Sequence, residues 1–259
     1  MKQTQGTMAQ VFHLAACPLI GKGLVLAALI LAALTLTARP ALAEGNAMNA
    51  NTLTAKQKSI VPIAAFTATG DMPRLDTALR EGLDAGLTVS EIKEILVQLY
   101  AYAGFPRSLN GFGAFMAVLK DRAQKGIADK PGREAGPFPA GKSRLELGTE
   151  VQTRLVGAPV KGPLFDFAPA IDQFLKEHLF ADIFGRDALD YQSREIATIA
   201  TLASLGGVNS QLRSHFNAGL NVGLTEVQLQ ALVDVLAAKV GKMEAANAAE
   251  VLRGVLGSR

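Results

Sequence analysis

The 259-residue chain has no tryptophan, a single cysteine, three tyrosines and three histidines. Each shortage excludes something. One cysteine, Cys17, cannot form an intrachain disulfide, a Cys-x-x-Cys redox pair or a thiolate metal cluster. Aromatic residues are only 6% of the chain while alanine, leucine and glycine abound. That balance favours close helix packing over a sheet, which draws on β-branched and aromatic side chains. Acidic residues are missing altogether from the first 43 positions.

That acid-free stretch reads as an export leader. Lys2 and Lys22 supply positive charge, Leu24 to Thr37 is mainly Leu and Ala, and Ala41-Leu42-Ala43 has the small-x-small pattern of a cleavage site. The apolar run is shorter than the roughly 20 residues of a comfortable membrane span. An anchor retained uncut is the alternative. Cleavage near Ala43 implies an exported, periplasmic protein with no stable membrane span after processing. It also removes Cys17 and three of the 26 basic residues, leaving 23 against 23 acidic ones. A neutral mature chain is a poor nucleic-acid ligand. It also lacks any thiol nucleophile.

What remains contains an internal repeat. Gly82-Leu83-Asp84-Ala85-Gly86-Leu87-Thr88 is matched by Gly219-Leu220-Asn221-Val222-Gly223-Leu224-Thr225, an offset of 137 residues. The same offset pairs Leu75 with Leu212, Leu79 with Phe216, Gly104 with Gly241 and Asn110 with Asn247, without a gap. Each copy reads as short helices. Thr54 and Thr88 open capping boxes, Pro73 suits a first helical turn, and Gly86 suits a left-handed C-terminal position. Ile92, Ile95, Leu96 and Leu99 form one apolar stripe, and Pro106 begins a helix to about Gln124. In the second copy, helices are expected over about 191–204, 209–222 and from Thr225 onward. Pro131, Pro137 and Pro139 mark a linker or crossover arm. The expected organisation is a leader (1–43), a first unit (52–124), a linker (125–141) and a second unit (142–257). Such wide apolar stripes are usually buried, so a homo-oligomer is expected.

The junction Tyr100-Ala101-Tyr102-Ala103-Gly104-Phe105-Pro106, followed by Ser108-Leu109-Asn110, resembles the carboxymuconolactone decarboxylase family. So do Leu212-Arg213-Ser214-His215, Phe184-Gly185-Arg186, Tyr191 to Glu195 and the arm 144–157. The resemblance covers roughly residues 52–123 and 142–253. It implies an all-α fold of tandem alkylhydroperoxidase D-like units, assembled as a homo-oligomer, and either of two activities. One is decarboxylation of γ-carboxymuconolactone; the other is thiol peroxidase chemistry through a Cys pair and a His. Val208 and Gln211 stand where that Cys pair would precede His215 by seven and four residues. Without a thiolate the peroxidase reaction lacks its nucleophile, unless a partner supplies the sulfur.

The motif halves are split between copies. The first keeps Tyr102, Gly104, Pro106 and Asn110 but has Ala78 at the histidine position. The second keeps Arg194, Glu195 and His215 but has Lys239, Gly241 and Met243 in the Tyr-Gly-Pro series. This suggests one composite pocket, within a chain or between subunits. The favoured function is a cofactor-free lyase acting on a small carboxylated lactone. Arg194 would anchor the carboxylate, and His215, with Glu195, would handle the proton. Tyr102 or Asn110 would donate to an enolate, and Arg186 would contact substrate or pair with Asp182 or Asp187. Each residue has a plainer reading. His215 and Tyr102 could be packing residues, Arg194 and Glu195 helix-terminus charges, Lys239 and Lys242 a solvated face, and Glu91 and Glu94 capping and helix-solubilising residues. His178 reads as a surface residue, and two scattered histidines make no metal site. The alternative function is a non-catalytic exported binding or scaffold protein.

Overall fold

The computed structural model describes residues 52–259; the expected leader lies outside them. Among the described residues the fold is all helical. In the first copy, α1 is Ala55–Thr69, α2 is Met72–Asp84 and α3 is Val89–Gln124. After the crossover come α4 (Arg144–Val156), the short α5 (Pro163–Phe167) and α6 (Pro169–Phe174), and a π-helical segment, Leu175–Phe184. The second copy contains α7 (Tyr191–Leu205), α8 (Asn209–Asn221), α9 (Glu226–Val235), a second π-helical segment, Leu236–Val240, and α10 (Lys242–Leu256). None of these helices is long and apolar enough to cross a membrane.

The 137-residue offset recurs in the backbone. α2 and α8 begin 137 residues apart, as do α3 and α9. Both α2 and α8 end in the same paired C-terminal motif. Gly86 and Gly223 adopt φ 95°, and Leu87 and Leu224 donate to the carbonyls of Gly82 and Gly219 at 2.9 Å. Only glycine takes that left-handed geometry without penalty, and the turn satisfies carbonyls the helix leaves orphaned. The capping boxes form as expected: Thr88 Oγ1 accepts from Glu91 N, and the Glu91 carboxylate accepts from Thr88 N at 2.7 Å. α3 breaks at Gly104 (φ 83°, ψ 158°), and Pro106 starts its second half. Gly241 breaks the second copy at the equivalent point.

The copies do not have separate cores. α1 and α7 are buried on every side over Ile60–Ala68 and Ser193–Ala203. A helix of that kind must lie in the middle of the protein, and α1 and α7 pack against each other there. One core cluster therefore takes Ile63, Leu79 and Leu96 from the first copy and Ile199, Phe216 and Leu232 from the second. This pairing brings α3 onto α7, and α9 with its π-helical extension onto α1.

Residues 127–139 have no regular secondary structure, yet they are tied down. Val89 N and Ser90 N, orphan donors at the start of α3, donate to the carbonyls of Lys130 and Pro131 at 2.9 Å. Arg122, almost fully buried, pairs with Asp129 at 2.9 Å. A smaller cluster joins α4 to the first π-helical segment through Leu147, Val151, Phe180 and Phe184. Gly148 permits that approach, because a Cβ there would lie 1.7 Å from the Lys176 carbonyl oxygen.

Candidate functional site

The α3–α7 contact is apolar except for one row on each helix. On α3, Glu94, Gln98 and Tyr102 lie four residues apart, on one face; on α7, Arg194 and Thr198 do the same, with Glu195 beside them. Arg194, Glu195, Thr198 and Gln98 have no exposed surface, and Glu94 has 3%. Buried polar groups need partners, and here most of the partners come from the other copy. The Arg194 guanidinium donates to Gln98 Oε1 (3.0 Å), Glu94 Oε2 (3.0 Å) and the Arg186 carbonyl (2.8 Å). Gln98 Nε2 donates to the Arg194 carbonyl and to Thr198 Oγ1, both at 2.8 Å. Arg186 closes the cluster by forking onto both Glu94 oxygens, at 2.7 to 3.0 Å.

These charges support one another. Burial works against ionisation of Glu94, but hydrogen bonds from Arg186 and Arg194, with their charges, outweigh it and hold the carboxyl below its ordinary value. The Glu94 hydrogen bond raises Arg186 above the ordinary guanidinium value. Burial pulls Arg194 down, partly offset by Glu94; a guanidinium still keeps its proton. The cluster holds two cations against one carboxylate.

Beside it runs a second constellation. Glu195 Oε2 accepts from His215 Nδ1 at 2.8 Å. The other face of the imidazole meets the first copy: Tyr102 Oη lies 3.4 Å from Nε2, with the rings edge to face at 5.5 Å between centroids. A buried carboxylate at Nδ1 keeps that nitrogen protonated and leaves Nε2 to accept from the phenol. Burial, and then the charge of Glu195, push the Tyr102 phenol above its ordinary value, so it stays a donor. The Glu195 Oε1 and Arg194 Nε atoms are buried without partners. Tyr102–His215–Glu195 is thus a hydrogen-bonded line of donor, imidazole and carboxylate, able to take up and deliver a proton at Nε2.

The structure brings together Tyr102, Arg186, Arg194, Glu195 and His215, and both motif halves meet within one chain. Asn110 does not join them: it is exposed on the second half of α3, beyond the Gly104 break. Arg194 has no surface from which to contact a ligand: it is fully buried, with both terminal nitrogens donating inside the fold. Arg186 pairs with Glu94 rather than Asp182 or Asp187, which are taken by Arg144 and Arg133. Glu94 is no solvated helix charge; it is the counter-ion of both arginines. Gln98 was not anticipated as a site residue. The four-residue spacing of Glu94, Gln98 and Tyr102 beside an apolar stripe was the available signal. His178 is exposed and meets Asp182 at 3.2 Å. Among the described residues no group of three or more His, Cys, Asp or Glu side chains stands ready to hold a metal ion.

The sequence pattern of the carboxymuconolactone decarboxylase family matches twice, over residues 34–117 and 169–254. The chain belongs to the carboxymuconolactone decarboxylase family. The two matches follow the internal repeat, and the first begins at residue 34, within the expected leader. A relative, the 4-carboxymuconolactone decarboxylase of Acinetobacter baylyi, is 30% identical over 96 residues, covering 36% of this chain and 71% of the relative. Tyr102 in one copy and His215 in the other, which carry part of the sequence resemblance, are brought within 3.4 Å of each other by the fold.

Proposed function

We propose that the protein is a cofactor-free carbon–carbon lyase that decarboxylates a small carboxylated lactone. The observation that carries this reading is the Tyr102–His215–Glu195 line, assembled from both copies. Loss of CO2 from such a substrate leaves a carbanion delocalised into the lactone carbonyl as an enolate. The Tyr102 O–H, turned from Nε2 to the substrate, donates to that oxygen. The imidazole, having taken a proton from solvent at Nε2, delivers it to carbon and returns to the neutral form with its Nδ1–H on Glu195. Glu195 sets the tautomer and supports the imidazolium. Of the two site arginines only Arg186 has exposed surface, at 39% of its side chain; it borders a cavity of ≈ 250 Å³ with Phe184, Asp187, Asp190 and Tyr191, which neither Tyr102 nor His215 lines. Arg186 is the one site arginine that a substrate carboxylate can reach, through the Nη1 that Glu94 leaves unused.

Export to the periplasm and assembly into a homo-oligomer belong to the same proposal. The leader motif supports the first. For the second, Phe105, Leu109 and Met116 are 61%, 62% and 70% exposed on one stripe of α3, an apolar face of the kind that marks an interface. Light scattering of the purified protein tests it; a monomer at micromolar concentration removes the oligomer.

The functional test follows CO2 release from γ-carboxymuconolactone by the full chain, with His215→Ala and Tyr102→Phe alongside. Turnover that falls by about 10²–10⁴ in His215→Ala, the usual contribution of a positioned acid–base group, supports the assignment. Unchanged turnover in a folded His215→Ala protein removes it. Absence of turnover in the parent turns attention to a binding role.

A further inference from the structure

The 137-residue offset can be applied to the site itself. Glu195, Tyr102, Glu94 and Gln98 map onto Lys58, Lys239, Ala231 and Val235, and His215 maps onto Ala78. Lys58, Lys239, Ala231 and Val235 all line one cleft of ≈ 530 Å³, where α1 meets α9 and the second π-helical segment. The same juxtaposition of helices is filled at the catalytic position and open here. Ala231 and Val235 are shorter than Glu94 and Gln98, and Ala78 supplies no imidazole. The cleft is therefore the twin of the catalytic site, with the acid–base line removed and space in its place.

The chemistry of the lining indicates an occupant. Pro62, Ala231, Val235 and Ala238 give apolar walls, and the volume lies within the roughly 300–1,000 Å³ of small-molecule sites. Four charges border it. Lys239 and Glu81 satisfy each other at 3.2 Å, and Asp234 accepts from Gln230 Nε2 at 3.1 Å. Lys58, which also lines the cleft, forms no ion pair among the described residues. Asp234 is also outside any ion pair among the described residues, but one of its oxygens is hydrogen-bonded, whereas the Lys58 ammonium has no polar partner among them. An apolar cleft with that ammonium on its rim suits an apolar body bearing one carboxylate, and Asp234 disfavours a second. We propose that this cleft is a second, non-catalytic binding site for a small apolar monocarboxylate, with Lys58 as its anion contact.

The test titrates benzoate into the full chain by ligand-observed NMR, with benzylamine and benzyl alcohol for comparison. Benzoate binds most tightly, and Lys58→Met weakens it by about tenfold, the loss of one charge-assisted contact. Ala238→Glu, a change at an exposed rim position that spares the core, abolishes it by repulsion. His215→Ala and Tyr102→Phe leave it unchanged. Three results overturn the proposal: no saturable benzoate binding, equal binding of all three probes, or binding that survives Ala238→Glu and is lost in His215→Ala. The last places the ligand at the catalytic pair, so a failure here and a failure of the lyase reading are told apart.

Discussion

Replacing Glu94 by glutamine tests whether the buried cluster is held by charge. The Arg194 side chain has no exposed surface, that of Glu94 has 4%, and that of Arg186 has 39%. With the carboxylate gone, Arg186 can turn to water, but Arg194 cannot. The variant leaves one cation inside the protein without a counter-ion, and removing one partner of such a pair costs about 3–5 kcal/mol. With a urea slope of about 2 kcal/mol/M, the unfolding midpoint drops by roughly 2 M. Arg186→Gln serves as the control and costs under about 1 kcal/mol, because that arm of the pair is screened by solvent. Combining Glu94→Leu with Arg194→Met restores much of the loss, since both charges then leave the core. A Glu94→Gln loss below about 1 kcal/mol would refute the argument by showing that Arg194 is solvated or relaxes freely. The pH dependence gives a second check. The folded carboxyl lies below its ordinary value, so its contribution is complete above the unfolded value of about 4.3 and is lost as pH falls through the folded value. The stability gap between parent and Glu94→Gln therefore stays flat from about pH 7 to 5 and closes at lower pH. A gap that widens in acid contradicts the assigned sign.

Three other substitutions probe separate parts of the fold and site. Gly148→Ala forces a Cβ to within 1.7 Å of a backbone carbonyl oxygen, and overpacking against backbone costs about 3 kcal/mol or more, read as a lower thermal midpoint. In Gly104→Ala the nearest atom, Pro106 Cδ, is at an ordinary 3.6 Å, so the cost comes from φ 83° alone, about 1–3 kcal/mol; a loss as large as that of Gly148→Ala would point to a hidden clash. Glu195→Gln removes the carboxylate that sets the His215 tautomer. If the lyase reading holds, turnover falls by about a hundredfold or more and the 15N shifts of the ring show mixed tautomers; unchanged shifts would dismiss Glu195 as a positioning residue.

Local chemistry made much of the fold legible. The capping threonines, Pro73, Gly86 and Pro106 act through their own backbone and a neighbour or two, so their positions in the chain place the helix ends. The duplication was visible because both copies keep the same turn residues at the same spacing. The site was legible only in part. Tyr102, Glu195 and His215 stood out through the family resemblance, but Glu94 looked like one more helix-solubilising charge. Burial depends on what packs against a residue, and α7 reaches Glu94 from 100 residues away in sequence. Arg194 was misleading for the same reason: its residue type suits an anion anchor, and only the packing shows that it is fully buried with both terminal nitrogens engaged.

The sequence by itself determined where helices start and stop, that two copies of one unit exist, and that no thiol chemistry runs in the described residues. Those properties follow from short-range sterics, hydrogen bonding and residue identity. The tertiary structure decided which residues meet. Because α1 and α7 are buried all round, they pack together in the centre, and the packing of α3 and α8 onto α7 set Tyr102 against His215 and Glu94 against Arg194. It also left the twin position, with Ala231 and Val235 in place of Glu94 and Gln98, as an open cleft.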